Sequence, residues 1–167
     1  MSRHTIRSDS YWRFFVTLKS SESRMGRWAQ TRWEIDELLP ADAVKPEGAH
    51  EVVMELFLDE RASYRLNLDL DSAKLFLICD DCGDGVPIPQ SLTANQNIAA
   101  GALEGDTPVL TMPMPSAIAC WLEAFISRHG EEPINAKRRR HIDVRGEHAA
   151  RRPEASQETR FESGAKS

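Results

Sequence analysis

The sequence contains no apolar run near the roughly 18 residues that a membrane-spanning helix needs. Its first ten residues, Met1 to Ser10, hold no apolar stretch behind their basic residues, so no secretory signal is expected there. Three cysteines in 167 residues are too few for a disulfide framework. There is no G-x-S-x-G, no phosphate-cradling glycine-rich loop and no H-E-x-x-H. The five histidines are scattered. These absences point to a cytoplasmic protein that is not an enzyme, although a site assembled from distant residues needs no motif.

What is present suits a globular domain. Forty-one per cent of the residues are apolar and 28% charged, the balance of a chain that buries a real core. The net charge of −5 is uneven: residues 1–136 carry −9 and residues 137–167 carry +4. An acidic body disfavours nucleic acid, whose affinity is dominated by phosphate charge. The last twenty or so residues, rich in Ala, Glu, Arg and Ser, read as disordered.

Hydropathy periods give the elements. Tyr11 to Lys19 alternates, with Trp12, Phe14, Val16 and Leu18 on one face, and predicts a half-buried strand. Ser20 to Gly26 reads as a turn. Arg27 to Leu39 reads as a second strand stopped at Pro40, and Ala41 to His50 as a loop. Val52, Met54, Leu56 and Leu58 alternate through a third strand. Tyr64, Leu66, Leu68 and Leu70 alternate through a fourth, and the short link between these two predicts a hairpin. Lys74 to Cys79 is continuously apolar after its lysine, as in a strand buried on both faces. Asp80 to Gln90 reads as a loop and Val109 to Met112 as a sixth strand.

Two helices are expected. One spans 93–103, where Thr93 and Gln96 have capping-box spacing. The other spans 115–129, where Ile118, Trp121, Leu122, Phe125 and Ile126 form one apolar stripe ending at Gly130. Strands first, then helix, strand, helix, predict an α+β fold: about six mostly antiparallel strands in a curved or barrel-like sheet with the two helices, and a basic disordered C-terminal tail. The expected organisation is a flexible N-terminus over 1–10, one globular domain over 11–136 and the tail over 137–167.

Four groups of residues are candidates for function. Cys79 and Cys82 form a C-x-x-C. Zinc would need two further ligands, and Asp80, Asp81 and Asp84 disfavour the thiolate that redox chemistry needs. The expectation is therefore no metal and no cofactor, with metal or sulfur handling as the rival. Most of the four tryptophans read as core; Trp28 lies near a polar turn, and if exposed it would anchor a partner. Arg65, Asn67 and Asp69 would face away from Leu66, Leu68 and Leu70, as an ordinary solvated sheet face or, alternatively, as a polar recognition face. Lys137, Arg138, Arg139 and Arg140 read as a solvated cluster just beyond a helix end or, functionally, as a site that docks on an acidic protein surface or, as a weaker alternative, on RNA.

A series of blocks in order carries a resemblance. Trp28 with Thr31-Arg32-Trp33-Glu34-Ile35 comes first, then Leu56-Phe57-Leu58-Asp59-Glu60 with Tyr64-Arg65-Leu66-Asn67-Leu68. Lys74-Leu75-Phe76-Leu77-Ile78-Cys79-Asp80 and Thr93-Ala94-Asn95-Gln96 follow. Met112-Pro113-Met114-Pro115 leads into Trp121-Leu122-Glu123-Ala124-Phe125, Arg128-His129-Gly130-Glu131 and the basic cluster. Over about residues 11–142 the chain resembles the bacterial domain-of-unknown-function family numbered 3305. That family has no established activity or catalytic residues. The resemblance implies a genomic setting near molybdenum-dependent formate dehydrogenase subunits and their maturation factors, and hence an accessory role in expressing or assembling that enzyme. The chain departs from the family pattern at Ala73, where many relatives carry Pro, and at Ile134-Asn135-Ala136, where many are aromatic. The Cys79/Cys82 pair is not a signature of the family. Together these features favour a non-enzymatic protein-binding module whose partner is a formate dehydrogenase subunit or maturation factor.

Overall fold

A computed structural model of the chain describes residues 5–131. Its six strands are β1 (Tyr11–Met25), β2 (Trp28–Pro40), β3 (His50–Glu55), β4 (Lys74–Asp81), β5 (Pro87–Thr93) and β6 (Val109–Pro113). Three helices accompany them: α1 (Arg61–Leu68), α2 (Gln96–Glu104) and α3 (Ser116–His129). The strands form one sheet in the order β2-β1-β3-β5-β4-β6. Every neighbouring pair is antiparallel except β3–β5, where Val53 and Met54 lie beside Ser91 and Leu92 in parallel. The sheet curls into a nearly closed barrel whose unpaired edges, β2 and β6, approach each other. The fold is α+β.

The period-two pattern explains the inside of the barrel. Trp12, Phe14 and Val16 on β1, Val52 and Met54 on β3, and Leu75, Leu77 and Cys79 on β4 are all buried. The stripe on α3 lies against them, with Ile118, Trp121, Leu122, Phe125 and Ile126 all at 4% exposure or less. Trp121 meets Trp12 edge-on at 5.4 Å between ring centroids. Its indole Nε1 donates to the Ser8 carbonyl at 3.0 Å, holding the N-terminal arm over the helix.

Several expectations are corrected. The segment 64–70 is not a strand but the helix α1, so the predicted hairpin with 52–58 does not exist. The residues it buries are Ala62, Ser63, Tyr64 and Asn67, a helical set, whereas Leu66 and Leu70 are exposed. The third strand stops at Glu55, and a 3-10 turn over Leu58–Glu60 leads into α1. The sixth strand of the sheet comes instead from the expected loop 80–90, which contributes most of β5. The sheet therefore keeps six strands, and the helices number three rather than two. Helix α2 starts at Gln96, capped by Asn95 Oδ1 accepting from Asn97 N at 3.0 Å, because Thr93 is still in β5. The Thr93 hydroxyl accepts instead from Asn95 N at 3.0 Å.

The expected turn at Ser20–Gly26 is also strand. Only Gly26 and Arg27 turn the chain, with Met25 opposite Trp28 in the register. Gly26 has φ 63° and Arg27 does not enter the left-handed region, the pattern of a II′ hairpin with glycine first. β3 pairs with β1 only as far as Val16. Beyond that point β1 and β2 have only each other and run out as a two-stranded ribbon.

Candidate functional site

Ribbon residues have one face of the sheet and no core to bury. From Lys19 to Arg32 every described side chain is exposed. Polar residues satisfy that environment, but the tip does not follow the rule. Met25 is 77% exposed and Trp28, its cross-strand partner, 81%. Two large apolar side chains thus stand together in solvent at the far end of a hairpin. Arg24 and Arg27 flank them, and neither forms an ion pair among the described residues. Arg24, Arg27 and Trp28 share a small hollow at the tip.

Where the ribbon passes the end of β6, a cleft of about 440 Å³ opens. One wall is the ribbon, through Ser23 and Met25 of β1 and Gln30, Thr31, Arg32 and Trp33 of β2. The other is built from Asp81 and Pro87 at the β4–β5 turn and Pro108 and Leu110 at the start of β6. Each aspartate of that turn accepts one hydrogen bond from the turn's own backbone. Asp80 Oδ1 accepts from Asp81 N at 2.9 Å, Asp81 Oδ1 from Gly83 N at 2.8 Å, and Asp84 Oδ1 from Val86 N at 3.0 Å. These are local side-chain-to-backbone turns of the kind Asp favours.

The sequence candidates fall in four different places. Trp28 is at the ribbon tip. Cys79 faces the core at 1% exposure, and burial pushes its thiol up to about 11. Cys82 is exposed on the β4–β5 turn, and among the described residues no group of three His, Cys, Asp or Glu side chains is placed to hold a metal. Lys137, Arg138, Arg139 and Arg140 lie outside the described residues.

Arg65 and Asn67 do not lie on a polar sheet face, whether for solvent or for recognition, because a helix, not a strand, carries them. Asn67 is fully buried; its amide donates to the carbonyls of Lys74 and Ala94, each at 2.8 Å. Arg65 lies across α3, bidentate to Glu123 at 2.9 and 3.0 Å and bonded to Glu131. Its hydrogen bonds to Glu123 and then Glu131 hold the guanidinium charged well beyond its usual range. Both residues lock helices to the sheet or to each other.

The cleft was invisible to sequence reasoning, since it lies between elements distant in the chain. One signal was available for the ribbon: Met25-Gly26-Arg27-Trp28, a glycine-first two-residue turn between alternating segments.

Fold and site together define a small, curled α+β sheet protein with a projecting aromatic hairpin. The chain belongs to the family described as a protein of unknown function, DUF3305, whose model matches residues 15–140. No curated protein and no solved structure matches it. No helix among the described residues is long and apolar enough to cross a membrane.

Proposed function

We propose that this protein is a non-catalytic protein-binding module and that the β1–β2 ribbon tip is its contact surface. The observation that supports this reading is Trp28, 81% exposed beside an equally exposed Met25. An unburied tryptophan at the end of a hairpin gains nothing for the fold. The same side chain buried in a partner's pocket is among the strongest contributors to binding. Arg24 and Arg27 add unpaired positive charge around it, suited to carboxylates on the partner. The family resemblance supports a formate dehydrogenase subunit or one of its maturation factors as that partner.

The test is an affinity pull-down from cells grown on formate, read by mass spectrometry, with wild type, Trp28→Ala and Arg138/Arg139/Arg140→Ala compared. Enrichment of those proteins by wild type, lost with Trp28→Ala, is the expected result. Loss only with the triple arginine variant moves the contact to the basic cluster. No enrichment by wild type overturns the proposed partner.

A further inference from the structure

We infer that the ribbon tip of one copy of this protein seats in a carboxylate-bearing groove on a second copy, and that the contact is made twice in a two-fold dimer. The inference rests on the reading of the tip as a contact surface and adds what covers that surface before a partner takes it.

The groove, of about 300 Å³, lies where β3 and β5 run parallel. Val53 and Glu55 line it, alternating along β3 with the buried Val52 and Met54, so it opens on the face of the sheet away from the core. Phe57 and Glu60, from the connection into α1, and Ile98, on the first turn of α2, also line it. Phe57 is 46% exposed and Ile98 47%. No lysine, arginine or histidine is among the lining residues. Glu55 forms no ion pair among the described residues. Glu60 accepts from the Tyr64 hydroxyl at 2.6 Å, a partner without charge. The cations beside the groove in register and chain are committed elsewhere. Arg13, opposite Val53, pairs with Glu51, and Arg61 donates to the carbonyls of Leu58, His129 and Gly130. Half-exposed apolar groups beside carboxylates without a cation suit an occupant that joins a cation to a large apolar side chain.

The ribbon tip has that composition. From Ser23 to Thr31 it carries Arg24 and Arg27 and no acid, with Met25 and Trp28 exposed between them. Glu22 stands opposite Thr31, the fourth register pair from the turn, and pairs with neither arginine. Register keeps the tip from the groove of its own chain. β1 runs antiparallel to β3, with Tyr11 beside Glu55 and Val16 beside His50. The groove is therefore at the start of β1, and the tip lies at its far end, 15 residues along. At roughly 3.3 Å per residue that separation is on the order of 45 Å. Complementary features at opposite ends of one sheet are satisfied by a second copy. An antiparallel pair makes both contacts at once and closes as a dimer, whereas a head-to-tail pair leaves one tip and one groove open.

The test is sedimentation equilibrium of the purified full chain, from micromolar to near-millimolar concentration, with no other protein present. The weight-average mass should rise from one chain toward two and no further. Arg27 and Glu55 are both exposed, so Arg27→Glu and Glu55→Lys leave the core intact. Each alone sets like charges against each other at both contacts and should weaken dimerisation about tenfold or more. Trp28→Ala should weaken it similarly, through the lost anchor. An equimolar mixture of the Arg27→Glu and Glu55→Lys chains places opposite charges at both contacts again and should recover the wild-type mass. A single chain at every concentration overturns the inference. So does a dimer indifferent to Glu55→Lys, or a mixture no heavier than its components. Mass that climbs past two chains overturns the two-fold closure. No formate dehydrogenase protein enters this measurement, so the pull-down decides the protein-binding reading separately.

Discussion

Asn67 and Lys74 are bonded in both directions: the Asn67 amide donates to the Lys74 carbonyl at 2.8 Å, and its Oδ1 accepts from the Lys74 amide at 3.0 Å. A third bond, to the Ala94 carbonyl, spends the remaining amide hydrogen. One buried side chain on α1 thus fixes the entry to β4 and the end of β5.

Replacing Asn67 by alanine leaves the buried Ala94 carbonyl and the part-buried Lys74 backbone groups without these partners. A buried donor or acceptor left unmade costs about 1–3 kcal/mol. Asn67→Ala is expected to lower stability by about 2–4 kcal/mol in urea denaturation, with the secondary structure of the surviving fold unchanged. Asn67→Asp keeps the acceptor but places a carboxylate against two carbonyls, so it should be no better at neutral pH. A loss under about 0.5 kcal/mol in both variants would show that the three bonds do not hold this junction.

The Arg65–Glu123 pair joins α1 to α3 with ideal bidentate geometry, yet it lies at the surface, with half of Glu123 exposed. Exposed pairs couple weakly and are screened by salt. A double-mutant cycle with Arg65→Ala and Glu123→Ala should give a coupling of about 0.5–1 kcal/mol, smaller in 1 M salt. A coupling that ignores salt would contradict this account of the pair.

α3, β1 and β3 were legible because their apolar residues repeat at one period over many positions, and β4 because its apolar run is unbroken. The stripe from Ile118 to Ile126 has no reading other than helical. The segment 61–70 was not legible for a physical reason. Tyr64, Leu66, Leu68 and Leu70 satisfy a period of two, while Tyr64, Asn67 and Leu68 satisfy a helical one, and so short a segment cannot separate the two. What decided it is Asn67, a polar residue whose partners, Lys74 and Ala94, are contributed by β4 and by the turn into α2. β5 was hidden by Pro87 and Pro89, which read as loop residues yet occupy strand positions. The ribbon tip was half legible: Trp28 stood out by type, but its exposure follows from β3 ending its pairing at Val16, which no local pattern encodes.

Cys79 gives the fold a pH dependence of known sign. Its thiol is raised from 9.0 to about 11 by burial. Between those values the unfolded chain has lost the proton and the folded chain has kept it. The folded state therefore binds more protons, and stability falls as pH rises through this window. The drop attributable to Cys79 is up to about 2–3 kcal/mol. Cys79→Ala should remove that slope from unfolding curves taken between pH 8 and 11 while costing some packing at pH 7. In the same protein, exposed Cys82 and Cys120 should react with a thiol reagent in the native state, and Cys79 only on unfolding. A native-state reaction of three thiols at equal rates would contradict the burial of Cys79.

Trp28 and Trp121 are chemically the same and should behave as opposites. Trp121 is 4% exposed, packed edge-on against Trp12 and bonded to Ser8. Its truncation to alanine removes a large part of the contact between α3 and the barrel and should cost about 3–5 kcal/mol. Trp121→Phe keeps most of that packing but loses the bond to the N-terminal arm, for about 1 kcal/mol. Trp28 touches no core, so Trp28→Ala should shift stability by no more than about 0.5 kcal/mol. Thermal unfolding of the three variants checks this order directly. A ribbon tip that serves only its own fold would show a stability loss at Trp28, whereas one that serves a partner shows none, and its cost appears in the pull-down instead.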